Sequence, residues 1–339
     1  MKCSILFLFM CLALRVASVA AHHGTYEYDF NTVAHIEGTI TEYHWRNPHA
    51  FIHLSHRNDA GDIVELVIEA AGPSGLIPLG VTSSSLTPGE RVVAVVFPSR
   101  RSPATSFHGR EIVKQDDIMV PLHPQFAPKH LLTSTGTTNT IFGTWVPSTA
   151  DFFRLILGRS QWPLTKAGSS AFRRYDVAIS PAAKCIPLSS PTIMLYPTAH
   201  TLRIIEDQII IDTDVMDAQR VVFMDGRNHP DPTKRFHQGH SIGHWDDETL
   251  VIDTTNFAEN RSGLTFGIPS SEGKHIVERV RLAADKAHLE VEYWLEDPQY
   301  LAEPVRGLFR WMYRPDLEPS GEPCDLATAR RYLTTSQDG

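Results

Sequence analysis

A mostly β fold of two barrels, one small and one larger, is what the sequence predicts, and three observations predict it. Apolar runs rich in Val, Ile and Thr recur along the chain but are short, which suits strands better than helices. The 23 prolines and 21 glycines are scattered between those runs, where turns need a fixed or a positive φ. At 339 residues the chain exceeds what one small core serves, so two domains are the natural division. Hydrophobic residues at 42% and charged residues at 21% suffice for ordinary cores.

Residues 1–21 stand apart. Lys2 gives a positive start, 5–14 is an apolar run too short to span a bilayer, and 17–21 is a small-residue cleavage region, so a secretory signal is expected. A periplasmic or secreted protein follows from it, and no later segment approaches the length of a membrane span. The chain has 31 Lys and Arg against 39 Asp and Glu, and cleavage removes Lys2 and Arg15. That acidic balance disfavours nucleic acid as a partner. Cleavage also removes Cys3 and Cys11, and the remaining Cys185 and Cys324 are expected to form one disulfide.

Residues 22–120 contain five strand candidates, at 33–44, 51–56, 63–70, 91–97 and 109–114, with a short helix-like stretch at 73–79 between the third and fourth. Five strands with a helix in that slot is the order of an OB-fold. Residues 121–140, rich in Pro, Ser, Thr and Gly, read as a linker. The larger domain, 141–324, opens on Gly143-Thr144-Trp145, which resembles the first-strand signature of lipocalin-like barrels. Strand candidates follow at 192–196, 202–206, 208–212, 220–224, 241–245, 249–255, 275–282, 288–294 and 308–313, at the spacing of a closed antiparallel barrel. Residues 325–339 are expected to be a flexible tail.

Within that barrel the stretch 237–257 reads as a β-hairpin turning at Asp246, Asp247 and Glu248. A two- or four-residue loop sets His244 opposite Val251, Ile242 opposite Asp253 and His240 opposite Thr255, so both imidazoles and the carboxylate share one face. A three-residue loop moves Asp253 to the other face, beside Ser241. A carboxylate fixes the tautomer of a neighbouring imidazole and raises its basicity, which makes His240 or His244 with Asp253 the candidate proton-transfer pair and Ser241 a candidate nucleophile. Trp245 and Arg279 are the candidate substrate contacts, with an inward Arg279 placed to grip a carboxylate. Glu278 and Arg279 alternate on one strand, so they cannot both line a pocket.

Two further readings stand beside this one. Cleavage after Ala20 sets His23 third, so the amine, two amide nitrogens and that imidazole can form a square-planar copper or nickel site. Cleavage after Ala21 instead puts His22 first, and its amine and ring can chelate copper if His44, His49 or His53 lies near. An envelope component with no site is the third. No phosphate loop, Gly-x-Ser-x-Gly elbow or dinucleotide fingerprint occurs. The leading expectation is an exported barrel that binds a small, largely apolar molecule and performs cofactor-independent acid/base chemistry on it, such as isomerisation, cyclisation or elimination.

Several stretches resemble an uncharacterised family of exported bacterial proteins. They are Ala21-His22-His23 and Asn47 to Ala50 in the first domain, then Asp225 to Pro230, Gly239 to Trp245, Asp253 to Thr255 and Glu278-Arg279 in the second. The resemblance implies architecture and export, and no activity. It departs at the hairpin turn, where Asp246 to Thr249 holds no glycine, at His244, where the family also takes arginine, and at Pro269-Ser270-Ser271, where it has a histidine.

Overall fold

The computed structural model describes residues 27–175 and 180–334. The expected signal segment, His22 and His23 lie outside the described residues.

In the first domain alternating apolar residues build β1 (Ala34–His44), β2 (His49–Arg57) and β3 (Ile63–Ala71). Gly72-Pro73 then starts α1 (Pro73–Leu76), and β4 (Arg91–Pro98) and β5 (Ser106–Lys114) follow. β1 pairs antiparallel with β2 and β4, β2 with β3, and β4 with β5. β3 closes the ring on β5 in parallel, from Val67↔Ser106 to Glu69↔His108. That closure is the OB arrangement, around a core that includes Ile40, Ile52, Leu66, Ile68, Leu76 and Ile112. β6 (Met119–Pro121) extends the sheet beyond β5.

The expected linker contains two 3-10 turns, Pro124–Phe126 and Lys129–Leu131. Beyond it come β7 (Gly143–Pro147), α2 (Thr149–Gly158) and α3 (Lys166–Arg173), the helices opened by the caps Ser148 and Thr165. Neither helix was expected. The candidate strand at 192–196 is also corrected: Ile193–Leu195 is a buried 3-10 turn under the barrel, where apolar character reflects burial and not a ladder. β8 (His200–Ile205), β9 (Gln208–Thr213), β10 (Ala218–Phe223), β11 (His240–Asp246) and β12 (Thr249–Thr255) then run in order around the wall. A separate hairpin, β13 (Asn260–Thr265) with β14 (Ile268–Ser270), precedes β15 (His275–Leu282), β16 (His288–Glu296) and β17 (Val305–Tyr313), and β17 closes on β7.

Nine strands form this ring. A ring of antiparallel neighbours needs an even number, so one junction must be parallel. It is β10 with β11, through Val222↔Ser241 and Phe223↔Ile242. Residues 224–239 make the return crossover that a parallel pair requires.

The lumen is packed solid. Trp145, Leu250, Ile252, Ile276, Leu289, Leu295 and Trp311 are fully buried, and the indoles of Trp145 and Trp311 donate to the carbonyls of Ile141 (2.9 Å) and Met194 (2.8 Å). Arg220 is the polar centre. Its guanidinium donates to Ser241 Oγ (2.9 Å), Ser190 Oγ (2.9 Å), Thr254 Oγ1 (2.8 Å) and the carboxylate of Glu278. Nearby, Lys274 Nζ donates to Ser189 Oγ (2.8 Å) and to the carbonyls of Ser190 and Gly263, and burial pushes its amine down to about 7.

The predicted disulfide Cys185–Cys324 is present, with Cα atoms 5.8 Å apart. Of the expected tail 325–339, the described part forms α4 (Leu326–Thr334), with Arg330 Nε donating to the carbonyl of Ala183 (2.9 Å), and residues 335–339 lie outside the described residues. Asn47 joins the two barrels. Its amide donates to the carbonyl of Glu322 (2.7 Å), its side-chain oxygen accepts from Ser74 Oγ (3.0 Å), and its carbonyl accepts from Asp325 N (2.7 Å). No described helix is long and apolar enough to cross a membrane.

Candidate functional site

The hairpin turns on two residues, Asp247 and Glu248, between the pair Asp246↔Thr249. Its register sets His244 opposite Val251, Ile242 opposite Asp253 and His240 opposite Thr255. His240, His244 and Asp253 therefore share a face, but it is the outer one. Their strand neighbours Ser241 and Thr254 are buried inward with Arg220, and Leu250 and Ile252 fill the lumen. The expectation that the histidines and the carboxylate look into a hollow is overturned. So is a nucleophilic Ser241, which is sealed inside and hydrogen-bonded to Arg220 and Thr254.

The crossover from β10 to β11 completes the cluster on the outside. It brings His229 over the wall, with His229 Nδ1 3.0 Å from His240 Nδ1 and His229 Nε2 3.3 Å from Asp253 Oδ1. His275, at the outward-facing start of β15, sets its Nε2 3.0 Å from the same oxygen and its Nδ1 3.6 Å from Glu296. Phe223 stacks on His240 with centroids 5.0 Å apart, and the Arg227 guanidinium lies 3.9 Å from the centre of that phenyl ring. Gly239, at φ +72°, makes the sharp entry into β11, where a Cβ would meet Thr254 and the carbonyl of Thr255.

Protonation follows from the network. Asp253 accepts only, so His229 and His275 both donate to it through Nε2. His229 and His240 share a hydrogen bond between their Nδ1 atoms, with the tautomer setting which one donates, and His240 Nε2 is the ring nitrogen left outside this network. The hydrogen bond to Asp253, with the carboxylate charges, raises the imidazole of His275 above its ordinary value. The same bond holds Asp253 below the carboxylate range. Partial burial, then His229 and Arg227, lowers His240. The cluster thus pushes two of its imidazoles in opposite directions, His275 up and His240 down.

His244 is exposed further along the strand, and His229, not His244, is the partner of Asp253. Trp245 points to the other side of the wall, toward Phe142 with centroids 6.5 Å apart, and stands away from the cluster. Arg279 faces outward and donates to Asp246 (2.7 Å), so the expectation of an inward guanidinium is corrected. Glu278 is the inward residue of that strand, and its partner is Arg220. His229 and His275 were missed by sequence reasoning. His275 carried a signal in its even spacing from the outward Val277 and Arg279, whereas His229 carried only its place beside Asp225-Gly226-Arg227.

Beside His275 an outer groove of about 640 Å³ runs over β15, β16 and β17, lined by Val277, Arg279, Trp294, Arg306 and Leu308. Arg306 lies 3.7 Å from the centre of the Trp294 ring.

Fold and site together define a two-barrel β protein with an ionisable cluster on the outer wall of its second barrel. A family of unknown function (DUF6152) matches residues 10–108, which take in the first barrel as far as the start of β5. No curated protein matches the chain.

Proposed function

We propose that the chain is an exported protein whose second barrel binds a small, largely apolar molecule on its outer wall and moves protons on it with the cluster at His240, His229, Asp253 and His275. The observation that carries this reading is one carboxylate oxygen within hydrogen-bonding distance of two imidazoles, His229 and His275, beside a groove that His275 helps to line. The groove offers Val277, Trp294 and Leu308 to an apolar body, while Arg279 and Arg306 edge it with charge. His240 Nε2 takes a proton, His229 passes the resulting charge toward Asp253, and His275 supplies a proton at the groove end. Such a step needs no redox group, which suits an isomerisation, cyclisation or elimination.

Metabolite profiles of cells carrying His240→Ala, Asp253→Asn and, for comparison, His244→Ala test the reading. One shared compound is expected to accumulate in the first two and not in the third. Unchanged profiles in His240→Ala and Asp253→Asn proteins that remain folded overturn it and leave the cluster a structural one.

A further inference from the structure

The outer face of the first barrel holds a second cluster of histidines and carboxylates, remote from this chemistry in sequence and fold. It is built by a β-bulge. Ile40 pairs with Leu54 but Glu42 pairs with His53, so Thr41 is the extra residue in β1. Without it, alternation would turn Glu42 and His44 into the core beside Ile40. With it, Ile40 stays buried while Glu42 and His44 both emerge on the side where His53 emerges from β2.

The three side chains converge. His44 Nε2 is 2.5 Å from Glu42 Oε2, the His44 and His53 rings lie 5.0 Å apart, and one donor atom from each residue falls within 4.8 Å of the other two. A tetrahedral zinc ion with ligands at about 2.0–2.2 Å holds its donors roughly 3.5 Å apart, so side-chain rotation alone closes this set. Behind it, Glu65 on β3 sets its Oε1 2.8 Å from His53 Nδ1. That leaves His53 Nε2 to a metal, and a carboxylate behind a ligating imidazole is how proteins fix ring orientation and raise its basicity. An ion pair between Glu42 and His44 requires neither the second imidazole nor the second carboxylate.

We propose that Glu42, His44 and His53 form a binding site for a divalent transition cation of the zinc or copper kind, with Glu65 as the positioning residue. Two imidazoles and one carboxylate suit such a cation and not calcium or magnesium, and three protein ligands leave a position open to water or a small ligand. The proposed ligand set needs neither His22 nor His23.

The test is calorimetric titration of zinc chloride into the full-length protein, with copper(II) in a parallel arm and cobalt(II) absorption as a second readout. One zinc ion per chain is expected. Glu65→Gln is expected to weaken binding about 10-fold or more, and His44→Ala or His53→Ala to weaken it further. His44 and Glu65 are exposed and His53 is partly buried, and circular dichroism checks that each variant folds. A double His22→Ala/His23→Ala variant keeps zinc affinity and loses at most a separate copper event. Unchanged affinity in His53→Ala, affinity lost only in the double variant, or no uptake of zinc or copper overturns the proposal.

Discussion

Asp253 is the residue on which the candidate site turns, because one oxygen accepts from both His229 and His275. With Asp253→Asn the charge and one acceptor are lost, so the imidazole of His275 is expected to fall back toward its ordinary value, read directly by an NMR pH titration. The stability linkage has a definite sign. His275, raised in the fold, stabilises below its unfolded value of about 6.5 and loses that contribution as pH rises through its folded value. Asp253, lowered in the fold, stabilises above about 3.8 and loses that contribution as pH falls. The pair therefore contributes most between about pH 4 and 6.5, and partial exposure keeps it to about 1 kcal/mol or less. Inside the wall the balance is different. Glu278 is fully buried against Arg220, and Glu278→Gln leaves a buried guanidinium without its countercharge. A loss of about 3–5 kcal/mol is expected, measured by urea denaturation.

At the scale of elements, the hairpin of β11 and β12 shows how a tight turn fixes register. Asp247 takes φ +51°, a conformation glycine adopts without strain. Asp247→Gly is expected to stabilise the protein by up to about 1 kcal/mol, seen as a raised thermal midpoint with the His240 resonances unchanged. The crossover 224–239 is a consequence of the odd strand count. A parallel junction forces the chain back along the outside, and that path delivers His229 to Asp253. The bulge at Thr41 acts similarly in the first barrel, exchanging the faces of the residues that follow it. In both barrels a departure from regular pairing places the ionisable side chains.

At the scale of the whole molecule, the segment after β17 ties the parts together. Cys324 bonds to Cys185 under the larger barrel while its backbone bridges to Asn47 of the smaller one, and Arg314 donates to the carbonyl of Pro78 (2.9 Å). The disulfide spans 139 residues, so in the chain-entropy model it restricts the unfolded chain by about 5 kcal/mol. Cys185→Ser with Cys324→Ser is expected to lower stability by about 3–5 kcal/mol by chemical denaturation while leaving both barrels formed.

By itself the sequence determined both barrels, the OB-like order of the first, the shared side of His240 and Asp253 for any even-numbered turn, and the cysteine pair left once Cys3 and Cys11 are set aside, while the structure chose the two-residue turn. These follow from local rules of alternation, turn length and elimination. Alternation, however, states only which residues share a face, never which face is inside. In 249–255 both parities carry apolar residues, and packing chose Leu250, Ile252 and Thr254 for the lumen because Arg220, buried there against Glu278, bonds the hydroxyls of Ser241 and Thr254. The tertiary structure alone decided that the lumen is full, that the histidines stand outside, and that His229 and His275, distant in the chain, complete the cluster. Each depends on where a strand or crossover lies relative to segments far away in sequence, which no local pattern encodes.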